Sequence, residues 1–201
     1  MRILALDLST KTGFAILNDD KIEAYGRYFD GKSISVPEAC TGLEEYTYIF
    51  RAKKIGQFAA GLALKYNPDV IAIEQTNRGR ARGTQKQLEM IHYGVLEALM
   101  IGHLPSKIVY VDTSQWRAGL KIYLSKDQKK HNKAVREKKI RGKITSKHLA
   151  VSYANSHFGL SLKMKDNDAA DALMIALFIF NKAKKPIPVA NIDKALFSND
   201  G

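Results

Sequence analysis

The sequence predicts an α/β domain in which a mixed sheet is covered by helices. Three observations carry this. Apolar runs at residues 3–8, 70–73 and 108–111 are short and almost unbroken, the pattern of strands buried on both faces. Longer stretches with helical periodicity alternate with them. The 201 residues suit one domain whose core needs no staples, and a single cysteine, Cys40, leaves no disulfide framework and no cysteine-based zinc site.

The first run contains one carboxylate, Asp7, and leads through the polar turn Ser9-Thr10-Lys11-Thr12-Gly13 into a second strand, Phe14-Ala15-Ile16-Leu17. Residues 23–29 (EAYGRYF) read as a third strand after the turn Asn18-Asp19-Asp20, which makes an antiparallel meander. Residues 30–42, with Gly31, Pro37 and Gly42, read as a loop. A helix is expected over 43–66, with Ile49, Phe50, Ile55, Phe58, Ala59 and Leu62 in its apolar set, and Asn67-Pro68-Asp69 stops it. The strand 70–73 closes on Glu74, and 75–83 is polar and arginine-rich. A helix over 84–99 carries Leu88, Ile91, Leu96 and Leu99, and His103-Leu104-Pro105 breaks it. The fifth strand, 108–111, closes on Asp112, which reads as the N-cap of the turn that follows. Residues 125–141 lack apolar periodicity and are assigned no structure.

A helical pattern resumes over 145–157 and ends at Phe158-Gly159-Leu160. The last helix, 168–182, is apolar nearly all round and is expected deep in the core. Asp168 and Asp171 open it at i, i+3, on one face of the first turn, where the helix dipole favours negative charge. The expected domain is therefore 1–182 with a basic insertion at 121–143, followed by a loosely held tail at 183–201 containing Pro186 and Pro188.

Charge narrows the function classes. The net charge is +12, with a pI of about 9.7, in the range of nucleic-acid-binding domains. Residues 121–147 hold eleven Lys/Arg against Asp127 and Glu137, so this stretch carries +9 of the excess. A run this one-sided repels itself and points to a polyanionic partner. The start of the chain lacks the features of a secretory signal, and no apolar run reaches the length of a membrane span. The expectation is a soluble protein of a reducing compartment, with no membrane partner.

Burying a lone carboxylate costs several kcal/mol unless a cation compensates it. Asp7 could instead satisfy backbone N–H groups of its turn. Taken together, however, Asp7, Glu74, Asp168 and Asp171 all hang on apolar segments that must share one core. Four converging carboxylates would repel and hold protons unless hard divalent cations such as Mg²⁺ or Mn²⁺ bound them. Two such ions about 4 Å apart are a known arrangement for in-line phosphodiester displacement.

The stretches ALDLSTKTGFAI at 5–16, IAIEQ at 71–75 and DNDAADALMIA at 166–176 resemble the three motifs of the RuvC family of Holliday-junction resolvases, within the RNase H-like superfamily. The resemblance covers about residues 1–180, and the D-x-x-D pair followed by A-L is its most specific part. It implies an RNase H-like fold with a five-stranded mixed sheet flanked by helices. It also implies a homodimer, with the helix 84–99 as its face. The implied activity is cleavage of branched DNA with two Mg²⁺ or Mn²⁺ ions per active site, leaving 5′-phosphate and 3′-hydroxyl ends. In that scheme Asp7 bridges both ions, Glu74 completes the leaving-group ion, and Asp168 and Asp171 hold the ion that activates water. Asp166 has the wrong helical phase to join Asp171 and stays outside. Arg117 and Lys147 match the family's basic residues near the acids.

Two departures stand out. The family's short linker is replaced here by the lysine-rich insertion, and Thr76-Asn77-Arg78 stands where members commonly place an aromatic residue. Both favour a relaxed branch-cutting enzyme acting on Holliday junctions, forks and flaps, as in phage or mobile-element members. Its place would be the cytoplasm of a bacterium or a phage-infected host. Expected DNA contacts are Arg78, Arg80, Arg82, Arg117, Lys143 and Lys147, with the insertion adding sequence-independent affinity. Trp116 is read as packing, and His148 as an exposed helical histidine. Rival functions are a ribonuclease acting on RNA–DNA hybrids, a branched-DNA-binding protein without catalysis, and a sugar-kinase-like nucleotide binder, which would need two lobes.

Overall fold

The computed structural model describes residues 1–29, 44–75, 82–102, 105–138 and 141–184. The strands are β1 (Arg2–Asp7), β2 (Thr12–Asn18), β3 (Lys21–Tyr28), β4 (Val70–Glu74) and β5 (Lys107–Val111). The helices are α1 (Glu44–Tyr66), α2 (Arg82–Ile101), α3 (Thr113–Gly119), α4 (Lys126–Glu137), α5 (Ser146–Phe158) and α6 (Asn167–Lys184). The sheet order is β3-β2-β1-β4-β5, with β1–β2 and β2–β3 antiparallel and β1–β4 and β4–β5 parallel. This is the expected five-stranded mixed sheet, with β1 at its centre.

Strand alternation divides the core into two layers. Leu4, Leu6, Ile16, Ile71 and Ile73 face α1 and α2, while Ile3, Ala5, Ala15, Leu17 and Ala72 face α5 and α6. On the α6 side, the paired residues Ala15, Ala5 and Ala72 form a row of methyl groups across three strands. α6 answers with Ala169, Ala170, Ala172 and Ala176, all buried. Small residues on both surfaces let the helix lie close to the sheet. Its buried Leu173, Met174, Ile175, Leu177 and Phe180 together contribute on the order of 10 kcal/mol.

The structure corrects the reading of 125–141. Residues 126–137 form a helix, although their apolar periodicity is too weak to show one. Ser125 accepts from the Gln128 N–H while the Gln128 side chain accepts from the Ser125 N–H, a capping box. Within α4 a single apolar side chain, Val135, is buried. α3 is a further short helix after β5. Asp112 holds its N-cap position, but its carboxylate makes no capping hydrogen bond, and its carbonyl accepts from the Gln115 N–H instead. The loop 30–42, most of the arginine-rich stretch 75–83 and the tail beyond 184 lie outside the described residues. Among the described residues, no helix is long and apolar enough to cross a membrane.

Two close approaches depend on glycine. A Cβ at Gly56 would stand 2.3 Å from the Gly94 carbonyl oxygen, which is where α1 and α2 cross. A Cβ at Gly13 would meet the Asp168 backbone, so β2 touches the first turn of α6 with no room for a side chain. Gly13→Ala is therefore expected to cost about 1–3 kcal/mol, read as a fall in melting temperature, and to push the Asp168 turn off the sheet.

Candidate active site

β1 and β4 run parallel, and the pairing Leu6–Ile73 leads directly to Asp7 beside Glu74 at the strand ends, about 4.8 Å apart by sheet spacing. Asp7 shares the face of Ile3 and Ala5, and Glu74 shares that of Ala72, so alternation turns both carboxylates toward α6. The start of α6 brings Asp168, in its first turn, and Asp171, at the beginning of the second. All four expected acids line one cavity of about 290 Å³, together with Ser9, Gln75, Thr113, Arg117 and Lys147.

The alternative role for Asp7 as a turn satisfier is not needed. The turn is held by Ser9 and Thr12: the Lys11 N–H donates to Ser9 Oγ (3.0 Å), and Thr12 Oγ1 donates to the Ser9 carbonyl (2.7 Å).

The carboxyls sit under strain. Burial holds Asp7 well above the usual carboxylate range, and the charges of Glu74 and Asp171, a hydrogen bond with Glu74 and the charge of Asp168 push it further. Asp171, 5% exposed, is pushed up to about 7, first by burial and then by the charge of Glu74. Arg117 and Lys147 pull it back only in part. Asp171 Oδ1 is buried with no hydrogen-bond partner.

Glu74 and Asp168 each have one oxygen held by protein donors. Glu74 Oε1 accepts from Thr113 Oγ1 at 2.7 Å and from the indole N–H of fully buried Trp116 at 3.0 Å. Asp168 Oδ1 accepts from the Asn167 side chain and lies 3.7 Å from Lys147 Nζ. The Arg117 guanidinium stacks on Trp116 at 4.8 Å. Among the described residues, no three His, Cys, Asp or Glu side chains are gathered into a ready-made metal cage. The chemistry of the donor set still fits a hard cation. It offers four carboxylates, two of them held toward the neutral form by burial and mutual charge, and one buried oxygen that nothing satisfies.

Other expected residues fall elsewhere. Asp166 accepts from the Lys163 N–H (3.0 Å), closes a 3₁₀ turn over Met164–Asp166 ahead of α6, and does not line the cavity. His148 folds back on Thr145, its Nδ1 accepting from the Thr145 N–H at 3.1 Å. Lys143 is exposed and lines a groove beside α4. Arg78 and Arg80 lie outside the described residues, as does the side chain of Arg82. Thr113 and the Trp116 N–H were not anticipated as partners of Glu74. The available signal was a Thr-x-x-Trp pair opening a helix directly after the strand beside β4, which puts both donors on one helical face.

Solved structures agree on the architecture. Thermus thermophilus RuvC matches with a TM-score of 0.57 and 15% identity, over 91% of this chain and 96% of that one. The same organism's RuvC in complex with a Holliday junction substrate gives 0.53 and 15%, over 91% and 95%. The yeast mitochondrial Holliday junction resolvase gives 0.51 and 15%, over 89% and 77%. No family model and no curated protein matches the sequence. At this identity the likeness is one of fold: the chain has the RuvC-type resolvase fold, RNase H-like, with a five-stranded mixed sheet flanked by helices.

The raised Asp171 gives a signed pH dependence. The folded state holds a proton there that the unfolded chain releases near pH 4, so this contribution is complete below that pH and is lost as the pH climbs through about 7. Asp19 and Glu23, held low by the N-terminal ammonium and Arg2, act in the opposite direction and only at lower pH. Metal-free protein should thus lose stability between about pH 4 and 7, on the order of a few kcal/mol, read as a falling melting temperature. Asp171→Asn should flatten that slope.

Proposed function

We propose that the protein is a divalent-metal-dependent, structure-selective DNA endonuclease that cuts Holliday junctions and other branched DNA. The observation that carries this reading is the convergence of four carboxylates from β1, β4 and α6 on one cavity with Arg117 and Lys147 at its wall. The likeness of fold to resolvases, one of them solved on a Holliday junction, supports it.

In this reading Asp7, Glu74, Asp168 and Asp171 would hold two Mg²⁺ or Mn²⁺ ions. When bound, such ions stabilise both the attacking and the leaving oxygen of an in-line phosphodiester hydrolysis, leaving a 5′-phosphate. The chain's own residues prepare that site. Thr113 and Trp116 fix one oxygen of Glu74, which sets the rotamer of the carboxylate. Arg117, pinned against the Trp116 ring, and Lys147 place positive charge where a phosphate enters an otherwise acidic cavity. Residues 76–82 begin two positions after Glu74 in the chain, so Arg78, Arg80 and Arg82 would meet the backbone near the cut.

A second copy of the chain completes the proposed assembly. Ile49, Leu64, Tyr93 and Ile101 are between 54% and 70% exposed, and all four sit with Ala52, Met90 and Ala98 around a groove of about 1160 Å³ between α1 and α2. A large apolar groove of this kind marks an interaction surface. Because α1 and α2 lie across the sheet from α6, the face is separate from the acidic cavity. Tyr93→Arg is expected to convert a dimer to a monomer in analytical ultracentrifugation; a monomeric wild-type protein at micromolar concentration would remove this element.

Asp7→Asn should abolish Mg²⁺-dependent cleavage, a loss of at least about 10³-fold, while junction binding persists. Cutting by pure Asp7→Asn protein, or a preference for RNA–DNA hybrid over four-way junction and fork in the same panel, would overturn the assignment. Failure of the wild type to cut any branched substrate with Mg²⁺ or Mn²⁺ would favour a binding protein without catalysis.

A further inference from the structure

We propose that α4 and the return segment 141–145 form a prebuilt site for the phosphate backbone of a duplex arm leading away from the acidic cavity. The proposal rests on the nuclease reading and adds to it a second, sequence-independent DNA contact built by the insertion.

The chain leaves the core at Ile122 and re-enters it at Ala150, with α4 between. Left to itself this helix would be marginal. It has twelve residues, one buried apolar side chain, and five Lys/Arg against two acids. Side-chain bonds to the returning backbone hold it instead. Asn132 uses both ends of its amide, donating to the Ile144 carbonyl (2.7 Å) and accepting from the Ile144 N–H (2.8 Å). From the adjacent position, His131 Nε2 donates to the Gly142 carbonyl at 3.0 Å. A merely solvated charge run needs no such clamp.

The clamp fixes the cations in register. Lys129, Lys133 and Arg136 follow the i, i+4, i+7 spacing of one helical face, and Lys143 faces them from the return segment. Together with Leu124, Asn132 and Val135 they line a groove of about 530 Å³. Like charges four residues apart destabilise a helix. Among the described residues, the only ion pair at the groove is Lys133–Glu137, at 3.9 Å and well exposed, which relieves little of that repulsion. A polyanion would relieve it.

The dimensions suit a nucleic-acid strand. Seven helical residues rise about 10.5 Å, close to three phosphate steps of 3.4 Å along a duplex axis. Lys143 is four residues from Lys147, which lines the acidic cavity, so at most about 14 Å of chain separates the two. One duplex can therefore touch both.

The test is binding in EDTA, where no cleavage is required. A fluorescein-labelled four-way junction and a linear duplex are titrated from about 50 to 200 mM salt. The Lys129→Gln/Lys133→Gln/Arg136→Gln variant should show a log–log salt slope shallower by about 2 to 3 for both probes, and at least about 10-fold weaker binding at low salt. Lys143→Gln, which leaves α4 untouched, should shift the slope by about 1 and keeps the proposal testable if the triple variant loses its helix. Asn132→Ala retains every charge, and its affinity should fall several-fold because the cations lose their register. Slopes equal to wild type in the triple variant and in Lys143→Gln would overturn the arm while leaving the nuclease reading in place. If wild-type protein binds neither probe, the nuclease reading and the arm that rests on it fail together.

Discussion

The site depends on how closely α6 lies against the sheet. The alanine row on β1, β2 and β4 and the alanines of the helix remove the bulk that would hold the two surfaces apart. Gly13 removes the last of it, at the point where β2 meets the first turn. That contact brings Asp171, buried and short of a hydrogen bond, toward two strand-end acids that the β1–β4 register has already placed side by side. The apolar burial along the rest of α6, on the order of 10 kcal/mol, outweighs the few kcal/mol of charge burial at its start. A helix with a weaker apolar body could not hold two carboxylates in such company.

The result is a local conflict inside a consistent fold. Every level of the structure agrees on the sheet, the two core layers and the helix order, whereas the acids violate the rule that buried charges are paired. Their proton affinities record that violation, since burial comes first among the causes for both Asp7 and Asp171. Partial remedies surround them. Trp116 both donates to Glu74 and carries Arg117 on its ring face, so one indole orders an acid and a base of the same cavity.

Three distinct surface features lie on different parts of the molecule. The acidic cavity opens at the ends of β1 and β4, the apolar groove lies between α1 and α2, and the basic arm springs from the segment between α3 and α5. Each is built on a different part of the chain, so a change at one need not disturb the others. The arm illustrates how little apolar surface such an addition requires. One capping box, one amide clamp and one buried valine order a segment whose composition is otherwise that of a disordered chain.

The sequence by itself determined the sheet and the main helices, and it singled out the four acids that the fold brings to one cavity. These follow from short-range rules: strands buried on both faces read as unbroken apolar runs, and a carboxylate interrupting one requires an explanation. Only the tertiary structure decided the rest. That Glu74 is held by Thr113 and Trp116 depends on β5 lying beside β4, a pairing of segments more than thirty residues apart. That 126–137 is a helix depends on the Ser125 capping box and on Asn132 and His131 reaching the returning backbone at Ile144 and Gly142, polar contacts that leave no periodic trace. Repeating local patterns encode elements, whereas single side-chain contacts between distant segments exist only once the chain has folded.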